Sequence, residues 1–92
     1  MRVEYDPDFL KQLKKLDVRI RNRFKKVIII FSKDPNNSVL NNHKLKDEWV
    51  GYRSIDVTND YRAIYEEVKV GNETFAYFSA FGTHEELYSS IN

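Results

Sequence analysis

Residues 49–81, WVGYRSIDVTNDYRAIYEEVKVGNETFAYFSAF, decide the fold, because they contain three consecutive runs rich in aromatic and β-branched residues. The first two runs, Trp49–Val57 and Asp60–Val68, are separated by only two residues, which is typical of a tight turn between antiparallel strands. A Gly-Asn turn then leads into Thr74–Phe81, which is apolar at successive positions, as expected for a strand buried on both faces. The sequence therefore predicts a three-stranded meander whose last strand is central.

The residues before this meander predict one strand and two helices. Met1–Tyr5 alternates apolar and polar residues, which indicates a short strand. Asp6 and Pro7 suit the cap and the first position of a helix. Asp17 suits the cap of a second helix, which we expect to stop at Asp34 before a proline. Both helices carry apolar residues on one side and basic residues on the others, so they should form a hairpin with an apolar seam.

Two further segments complete the predicted α+β fold. Residues 35–48 show no sustained periodicity and predict a long connecting loop, a kind of segment that tends to carry function. Thr83-His84-Glu85-Glu86 has the form of a capping box and predicts a short C-terminal helix through Tyr88. The expected architecture is an N-terminal strand and a two-helix hairpin packed on a small, mainly antiparallel sheet, with a short C-terminal helix. We expect residues 1–92 to form a single domain.

The composition indicates a globular protein of the cytoplasm. Hydrophobic residues make up 41% and charged residues 32% of the 92 residues. The absence of cysteine excludes disulfides, zinc–thiolate sites and cysteine nucleophiles. The longest apolar stretch, Val27–Phe31, is too short to span a bilayer, and Asp6 and Asp8 interrupt any apolar run near Met1, so we expect no signal peptide.

The charges are divided unevenly along the chain, although the net charge is only +1. Residues 1–46 carry 12 Lys or Arg against 5 Asp or Glu, whereas residues 47–92 carry 3 against 9. Such a split suggests that one face binds a polyanion. The alternative is two solvated faces of opposite sign.

Three segments in register resemble a known family. They are His43-Lys44-Leu45 with Trp49-Val50-Gly51-Tyr52-Arg53, then Asp60-Tyr61-Arg62-Ala63-Ile64-Tyr65, and finally Gly82-Thr83-His84-Glu85-Glu86-Leu87-Tyr88. Together they resemble the RelE/ParE toxin superfamily, and within it the YafQ branch, over nearly the whole chain. The resemblance implies the toxin of a type II toxin–antitoxin system, a ribosome-dependent endoribonuclease that cleaves messenger RNA and inhibits translation. It also implies a cognate antitoxin protein that forms a hetero-oligomer with the toxin.

The resemblance further implies roles for individual residues. The positions that match the catalytic set of the YafQ branch are His43, Asp60, His84 and Tyr88. Asp56 stands where that branch carries a further histidine, so a carboxylate replaces one candidate proton-transfer group. Tyr61 occupies the place of a tryptophan, and Arg62 matches an arginine with which the RelE branch holds phosphate.

The chemistry implied by this resemblance needs no metal or cofactor. Cleavage through the ribose 2′-hydroxyl requires a base, an acid for the departing 5′-oxygen and donors to the phosphorane. The only two histidines are His43 and His84. No spacing such as H-x-H or H-E-x-x-H is present, so we expect no metal site.

Structural explanations remain open for each candidate. His43 could be a solvated loop residue, His84 could merely top a helix, and Asp60 could close a turn. Asp56 could simply pair with Arg53 or Arg62.

Tyr61 and Tyr88 suit stacking on RNA bases. The basic residues predicted to bind RNA, besides Arg62, are Arg53, Lys44, Lys46, Arg19, Arg21, Arg23, Lys25 and Lys26.

Two other functions are compatible with the sequence. One is a ParE-like toxin that binds DNA gyrase without catalytic residues, and the other is an inactive binding module of the same fold. Because fold does not determine function, topology cannot separate these from the nuclease. The presence of both His43 and His84 favours the nuclease.

Overall fold

In the computed structural model, which describes residues 1–88, five strands and three α-helices follow one another along the chain. The strands are β1 (Arg2–Tyr5), β2 (His43–Lys44), β3 (Arg53–Asp56), β4 (Tyr61–Val70) and β5 (Glu73–Thr83). The helices are α1 (Pro7–Lys14), α2 (Val18–Lys33) and α3 (His84–Tyr88). Two short 3-10 helices, Ser38–Leu40 and Asp47–Trp49, flank β2. The last four residues of the single domain predicted over 1–92 lie outside the described part of the chain.

The five strands form one sheet in the order β1-β5-β4-β3-β2. β1 runs parallel to β5, and all other neighbouring pairs are antiparallel. β5 therefore lies between β1 and β4, as its apolar sequence predicts. The α+β architecture expected from the sequence, including the N-terminal strand and the short C-terminal helix, is confirmed.

The predicted caps position the two long helices. The Asp6 carboxylate accepts from the backbone N–H of Asp8 at 2.8 Å, with Pro7 at the first helical position. The Asp17 carboxylate accepts from the N–H of Arg19 at 2.7 Å. These bonds satisfy amides that have no partner inside the helix, which fixes where α1 and α2 begin.

An aromatic core joins the helix hairpin to one face of the sheet, called here the helix face. Phe9 of α1 packs against Phe78 and Phe81 of β5, with ring centroids 5.7 and 5.6 Å apart. Phe78 and Phe81 are three residues apart and would point to opposite faces of a regular strand. A register shift between Ile64 and Tyr65 of β4 adds one residue to β5 at this point, which allows both rings to face the helices.

The opposite face of the sheet, called here the cleft face, carries α3. The residues of β3 and β4 that belong to the core point to the helix face. Because side chains alternate along strands, their neighbours Ser54, Asp56, Arg62 and Ile64 point to the cleft face. Arg62 is paired with Gly82 of β5, where an added Cβ would lie 3.5 Å from Leu87 of α3. The C-terminal helix α3 therefore packs on the cleft face, whereas α1 and α2 pack on the helix face.

The structure differs from the sequence-based predictions around β2. The prediction that a strand begins at Trp49 is wrong, because that residue ends a 3-10 helix and Gly51 adopts φ +93°. The predicted loop over residues 35–48 contains β2, a strand too short to give a period-2 pattern. The turn between β3 and β4 spans residues 57–60 rather than two residues. Within residues 1–88, no helix is long and apolar enough to cross a membrane.

Candidate active site

Asn42 ties the segment before β2 to the rest of the protein. Its side-chain amide donates to the carbonyl oxygen of Pro35 at 2.9 Å and to the Tyr65 hydroxyl at 2.7 Å. Its side-chain oxygen accepts from Nε of Arg53 at 2.8 Å. This partly buried polar network fixes the chain immediately before His43.

The backbone of Asn41 determines how the ring of His43 is held. Nδ1 of His43 lies 2.8 Å from the main-chain carbonyl oxygen of Asn41. Because a carbonyl oxygen only accepts hydrogen bonds, this contact requires the hydrogen on Nδ1. In the neutral ring, Nε2 then keeps its lone pair and can accept a proton. His43 is also paired with Ser54 of β3, which places it at the edge of the cleft face.

The start of α3 is fixed by a capping box and by two contacts of His84 itself. The capping box is present: the Glu86 carboxylate accepts from the N–H of Thr83 at 2.8 Å, and the Thr83 hydroxyl accepts from the N–H of Glu86 at 3.0 Å. The N–H of His84 donates to the carbonyl oxygen of Asp60 at 3.2 Å. The ring of His84 contacts that of Tyr88, one turn later, with centroids 4.6 Å apart and the planes tilted by 59°.

One cleft of about 280 Å³ brings five of the predicted site residues together. Both histidines line it, although they come from an edge strand and a C-terminal helix that are far apart in sequence. Its walls are formed by His43, Leu45, Lys46, Asp47, Trp49, Ser54, Arg62, His84 and Tyr88. Two imidazoles, two cationic side chains and a phenol at one opening form a set that can bind an anion and move protons.

Arg62 enters this cleft with most of its guanidinium already engaged. Nε lies 3.0 Å from Oδ1 of Asp56, and Nη1 lies 2.9 to 3.1 Å from the carbonyl oxygens of Thr58, Asn59 and Tyr61. The side chain is only 19% exposed. It is therefore a fixed cation, and it cannot offer Nε and Nη1 to a ligand as a bidentate pair without giving up these contacts.

Four other predicted site residues lie beside the cleft rather than in it. Asp60 and Tyr61 line a shallow groove on the far side of His84. The Tyr61 ring also stacks on core Phe81, with centroids 5.6 Å apart. Lys44 and Arg53 line a neighbouring cavity of about 320 Å³, which contains no histidine. Volume alone therefore does not identify the site.

The basic residues of α2 lie on the other side of the sheet from the cleft. α2 contributes Phe24, Val27 and Phe31 to the core on the helix face, so its remaining sides point away from the cleft face. The predicted RNA-binding residues of this helix are Arg19, Arg21, Arg23, Lys25 and Lys26. None of these five residues lines the cleft of the histidines. Arg23 donates from Nε to the carbonyl oxygen of Val57 at 3.1 Å, beside the turn that holds Arg62.

Four residues of the cleft were not predicted as site residues: Leu45, Asp47, Trp49 and Ser54. Trp49 donates from Nε1 to the carbonyl oxygen of Leu87 at 3.4 Å and so links the 3-10 helix after β2 to α3. Ser54 is fully buried, and its hydroxyl has no hydrogen-bond partner within residues 1–88. Asp47 has φ +56°. Because side chains alternate along a strand, Ser54 could have been predicted from Asp56, which lies two residues later in β3. No sequence pattern indicates that Asp47 lines the cleft.

The fold is that of a class of small α+β toxins, the RelE/ParE type. A family model described as the ParE toxin of the type II toxin–antitoxin system parDE matches residues 3–88. The chain belongs to this family of type II toxins. No curated protein sequence matches the chain.

Solved structures show the same fold. YafQ from Escherichia coli strain BL21(DE3) is 27% identical, with a TM-score of 0.73 over 96% of this chain and 99% of that chain. YafQ in the E. coli DinJ–YafQ toxin–antitoxin complex is also 27% identical, with a TM-score of 0.70 over 94% of each chain. A YoeB/ParE toxin from Agrobacterium tumefaciens is 18% identical, with a TM-score of 0.73 over 91% of this chain and 99% of that chain. At that identity the last match shows the fold alone.

Proposed function

We propose that this type II toxin is an endoribonuclease that cleaves messenger RNA on the ribosome and thereby inhibits translation. The observation that carries the proposal is the single cleft lined by His43, His84, Arg62 and Tyr88. These are residues for which the resemblance to the YafQ and RelE branches implies catalytic or phosphate-binding roles. The sequence identity of 27% to YafQ supports the same proposed function.

The proposed reaction uses the ribose 2′-hydroxyl as the nucleophile. His43 takes its proton at Nε2, the nitrogen left free by the contact between Nδ1 and Asn41. The 2′-oxygen attacks phosphorus, the bond to the 5′-oxygen breaks, and His84 gives a proton to that oxygen. The products are a 2′,3′-cyclic phosphate and a 5′-hydroxyl. Each proton transfer of this kind contributes about 10²- to 10⁴-fold in rate.

Cations and aromatic rings supply the rest of the site. Arg62 and Lys46 balance the charge that develops on the phosphorane, and Tyr88 and Trp49 stack on bases at the cleft wall. Asp60 positions His84 through the main-chain bond between them. The basic side of α2 binds ribosomal RNA backbone, which gives salt-sensitive and sequence-independent affinity.

The partner that silences the toxin is an antitoxin protein, in a toxin–antitoxin hetero-oligomer in the cytoplasm. The E. coli YafQ relative has been solved with DinJ as a toxin–antitoxin complex. A Staphylococcus aureus YoeB of similar fold has been solved in a heterotetrameric complex with YefM. Family membership as a type II toxin supports the same kind of partner here.

A second candidate function is a ParE-like toxin that binds DNA gyrase without catalysis. The observation that favours it is the match of the ParE toxin model over residues 3–88. The two functions make different demands on the cleft, because only the nuclease requires both imidazoles. The histidines that line the cleft therefore favour the nuclease.

Primer extension on messenger RNA from cells that produce the protein separates the two functions. We expect new 5′ ends inside translated codons, in frame with the message, and none when translation initiation is blocked beforehand. Intact message together with DNA damage would establish the gyrase-binding toxin instead. Purified ribosomes with a bound message provide the same readout in vitro.

A further inference from the structure

We infer that Asp56 is a positioning residue for Arg62 and that it does not transfer a proton in the reaction. This inference rests on the proposed nuclease function and deepens it. It concerns the position at which a carboxylate replaces the histidine of the YafQ branch. Asp56 and Arg62 are direct cross-strand partners in the register of β3 and β4, so their side chains project side by side from the cleft face.

Both oxygens of the Asp56 carboxylate contact other side chains. Oδ1 faces Nε of Arg62 at 3.0 Å, and Oδ2 faces the side-chain amide of Asn41 at 3.5 Å. Oδ1 is buried and makes no aligned hydrogen bond within residues 1–88, so its contact with Arg62 is an ion pair. Asp56 is also absent from the lining of the cleft, whereas Arg62 lines it. The carboxylate thus contacts Arg62 and Asn41 beside the cleft and does not form part of its wall.

Arg62 is held from two directions. The ion pair holds Nε, and the carbonyl oxygens of the turn between β3 and β4 hold Nη1. Within the described residues, Nη2 has no hydrogen-bond partner and is the nitrogen that remains for a phosphate oxygen. A donor fixed in advance stabilises developing charge without reorganising during the reaction, which is the advantage that Asp56 provides.

Asn41 connects this pair to His43. Its side chain contacts Asp56, and its main-chain oxygen contacts Nδ1 of His43. The proton acceptor and the fixed cation are therefore supported by the same residue, so a change in one position affects the geometry of the other.

The test compares Asp56→Asn with Arg62→Gln and the double variant, using single-turnover cleavage of ribosome-bound message at saturating toxin. We expect Arg62→Gln to lower the rate about 10²- to 10³-fold, as for loss of one stabilising donor. Asp56→Asn should lower it by no more than about tenfold and keep both limbs of the pH–rate profile. The double variant should match Arg62→Gln within about twofold, because Asp56 acts only through Arg62.

A matched control is available in the exposed pair of Arg2 and Glu73, whose atoms lie 2.8 Å apart far from the cleft. Glu73→Gln should leave the cleavage rate unchanged. Two outcomes would overturn the inference. One is an Asp56→Asn variant that is inactive or lacks a limb of the pH–rate profile, as expected for a proton carrier. The other is a double variant whose loss is the product of the two single losses.

A second measurement keeps the inference separate from the proposed function. In ¹⁵N-labelled protein, the Arg62 Nε–H signal should be restrained and slow to exchange in the wild type, and faster in Asp56→Asn. A wild-type protein that cleaves no message would end the nuclease proposal without affecting this result. Equal exchange of Arg62 Nε–H in the two proteins would end the positioning role, whatever the cleavage assay shows.

Discussion

The ring of His43 is held by the backbone of Asn41, because Nδ1 of His43 lies 2.8 Å from the carbonyl oxygen of Asn41. Asn41 itself is in the left-handed region, with φ 48° and ψ 45°. Asparagine tolerates this conformation better than most residues with a side chain. The turn that it permits, between the 3-10 helix Ser38–Leu40 and β2, aims the carbonyl at the imidazole. A backbone conformation is thus coupled to the protonation pattern of a proposed catalytic group.

Asn41→Val should damage the site through the backbone, whereas Asn41→Gly should not. Valine in the left-handed region costs about 1–2 kcal/mol and displaces the carbonyl, while glycine adopts that region freely. We expect Asn41→Val to cleave at least about tenfold more slowly and Asn41→Gly to remain within a few-fold of wild type. Long-range ¹⁵N–¹H NMR should show the hydrogen on Nδ1 of His43 in the wild type at neutral ring charge. A dominant Nε2–H form would contradict the proposed base.

Alanine at either histidine should abolish growth arrest without unfolding the protein. Both side chains are exposed, so His43→Ala and His84→Ala should change the free energy of unfolding by no more than about 0.5 kcal/mol. Cleavage should fall by about 10²-fold or more in each variant. Lys69→Ala, an exposed position of β4 outside the cleft, serves as the control and should remain toxic. Full toxicity of both histidine variants would show that the cleft is not the site.

The capping box should matter more for cleavage than for global stability. Thr83→Ala removes the acceptor for the N–H of Glu86, which costs about 1 kcal/mol for a helix cap. Because α3 carries both His84 and Tyr88, its fraying should lower the cleavage rate while the core formed by α1 and α2 remains intact. Thr83→Ser keeps a hydroxyl and should retain activity. Hydrogen exchange in α3 checks the fraying directly, and equal exchange in the two variants would contradict it.

The sequence predicts the parts of the fold whose causes are local. The caps at Asp6 and Asp17, the capping box at Thr83 and the apolar strand β5 each depend on a few neighbouring residues, and all are confirmed. β2 could not be predicted, because a two-residue strand has no period and exists only through its pairing with β3. Its residue His43 was expected in a loop and lies at a sheet edge.

The sequence indicated only part of the candidate site and did not indicate its arrangement. The motifs indicated His43, His84, Tyr88 and Arg62, yet only the sheet order brings the edge strand and α3 to one cleft. Trp49 belongs to a segment that was predicted to be a strand, and its hydrogen bond to Leu87 depends on the packing of distant segments. The hydrogen bonds from Arg62 to the carbonyl oxygens of Thr58 and Asn59 likewise depend on a four-residue turn, for which the sequence predicted only two residues.

The basic side of α2 should affect binding to ribosomes but not the chemical step, because it lies across the sheet from the cleft. Replacing the exposed Lys25 and Lys26 by glutamine should weaken ribosome binding and reduce the dependence of log affinity on log salt by about 0.7–0.9 for each phosphate that is no longer neutralised. The cleavage rate at saturating toxin should stay within about twofold of wild type. A lower rate at saturation, or an unchanged salt dependence, would contradict the separation of the two surfaces. Lys69→Gln is the matched control.

Tyr65 should make the protein sensitive to alkali. Burial is the largest cause and raises the pKa of its hydroxyl above the ordinary value of 10.0, although the 2.7 Å hydrogen bond that the hydroxyl accepts from Asn42 acts in the opposite direction. The unfolded chain therefore loses this proton at a lower pH than the folded protein. The stability that Tyr65 contributes is complete below pH 10.0 and is lost as the pH rises through the folded pKa.

Tyr65→Phe tests this dependence, because it removes the titrating group together with the hydrogen bond. Between pH 7 and pH 9, Tyr65→Phe should be less stable than wild type by about 1 kcal/mol. The difference in the free energy of unfolding should narrow above pH 10.0, since only the wild type still has Tyr65 to ionise. Urea unfolding at a series of pH values measures both proteins, and the other tyrosines contribute equally to each. A difference that stays constant to pH 11 would show that Tyr65 does not titrate differently in the folded and unfolded chains.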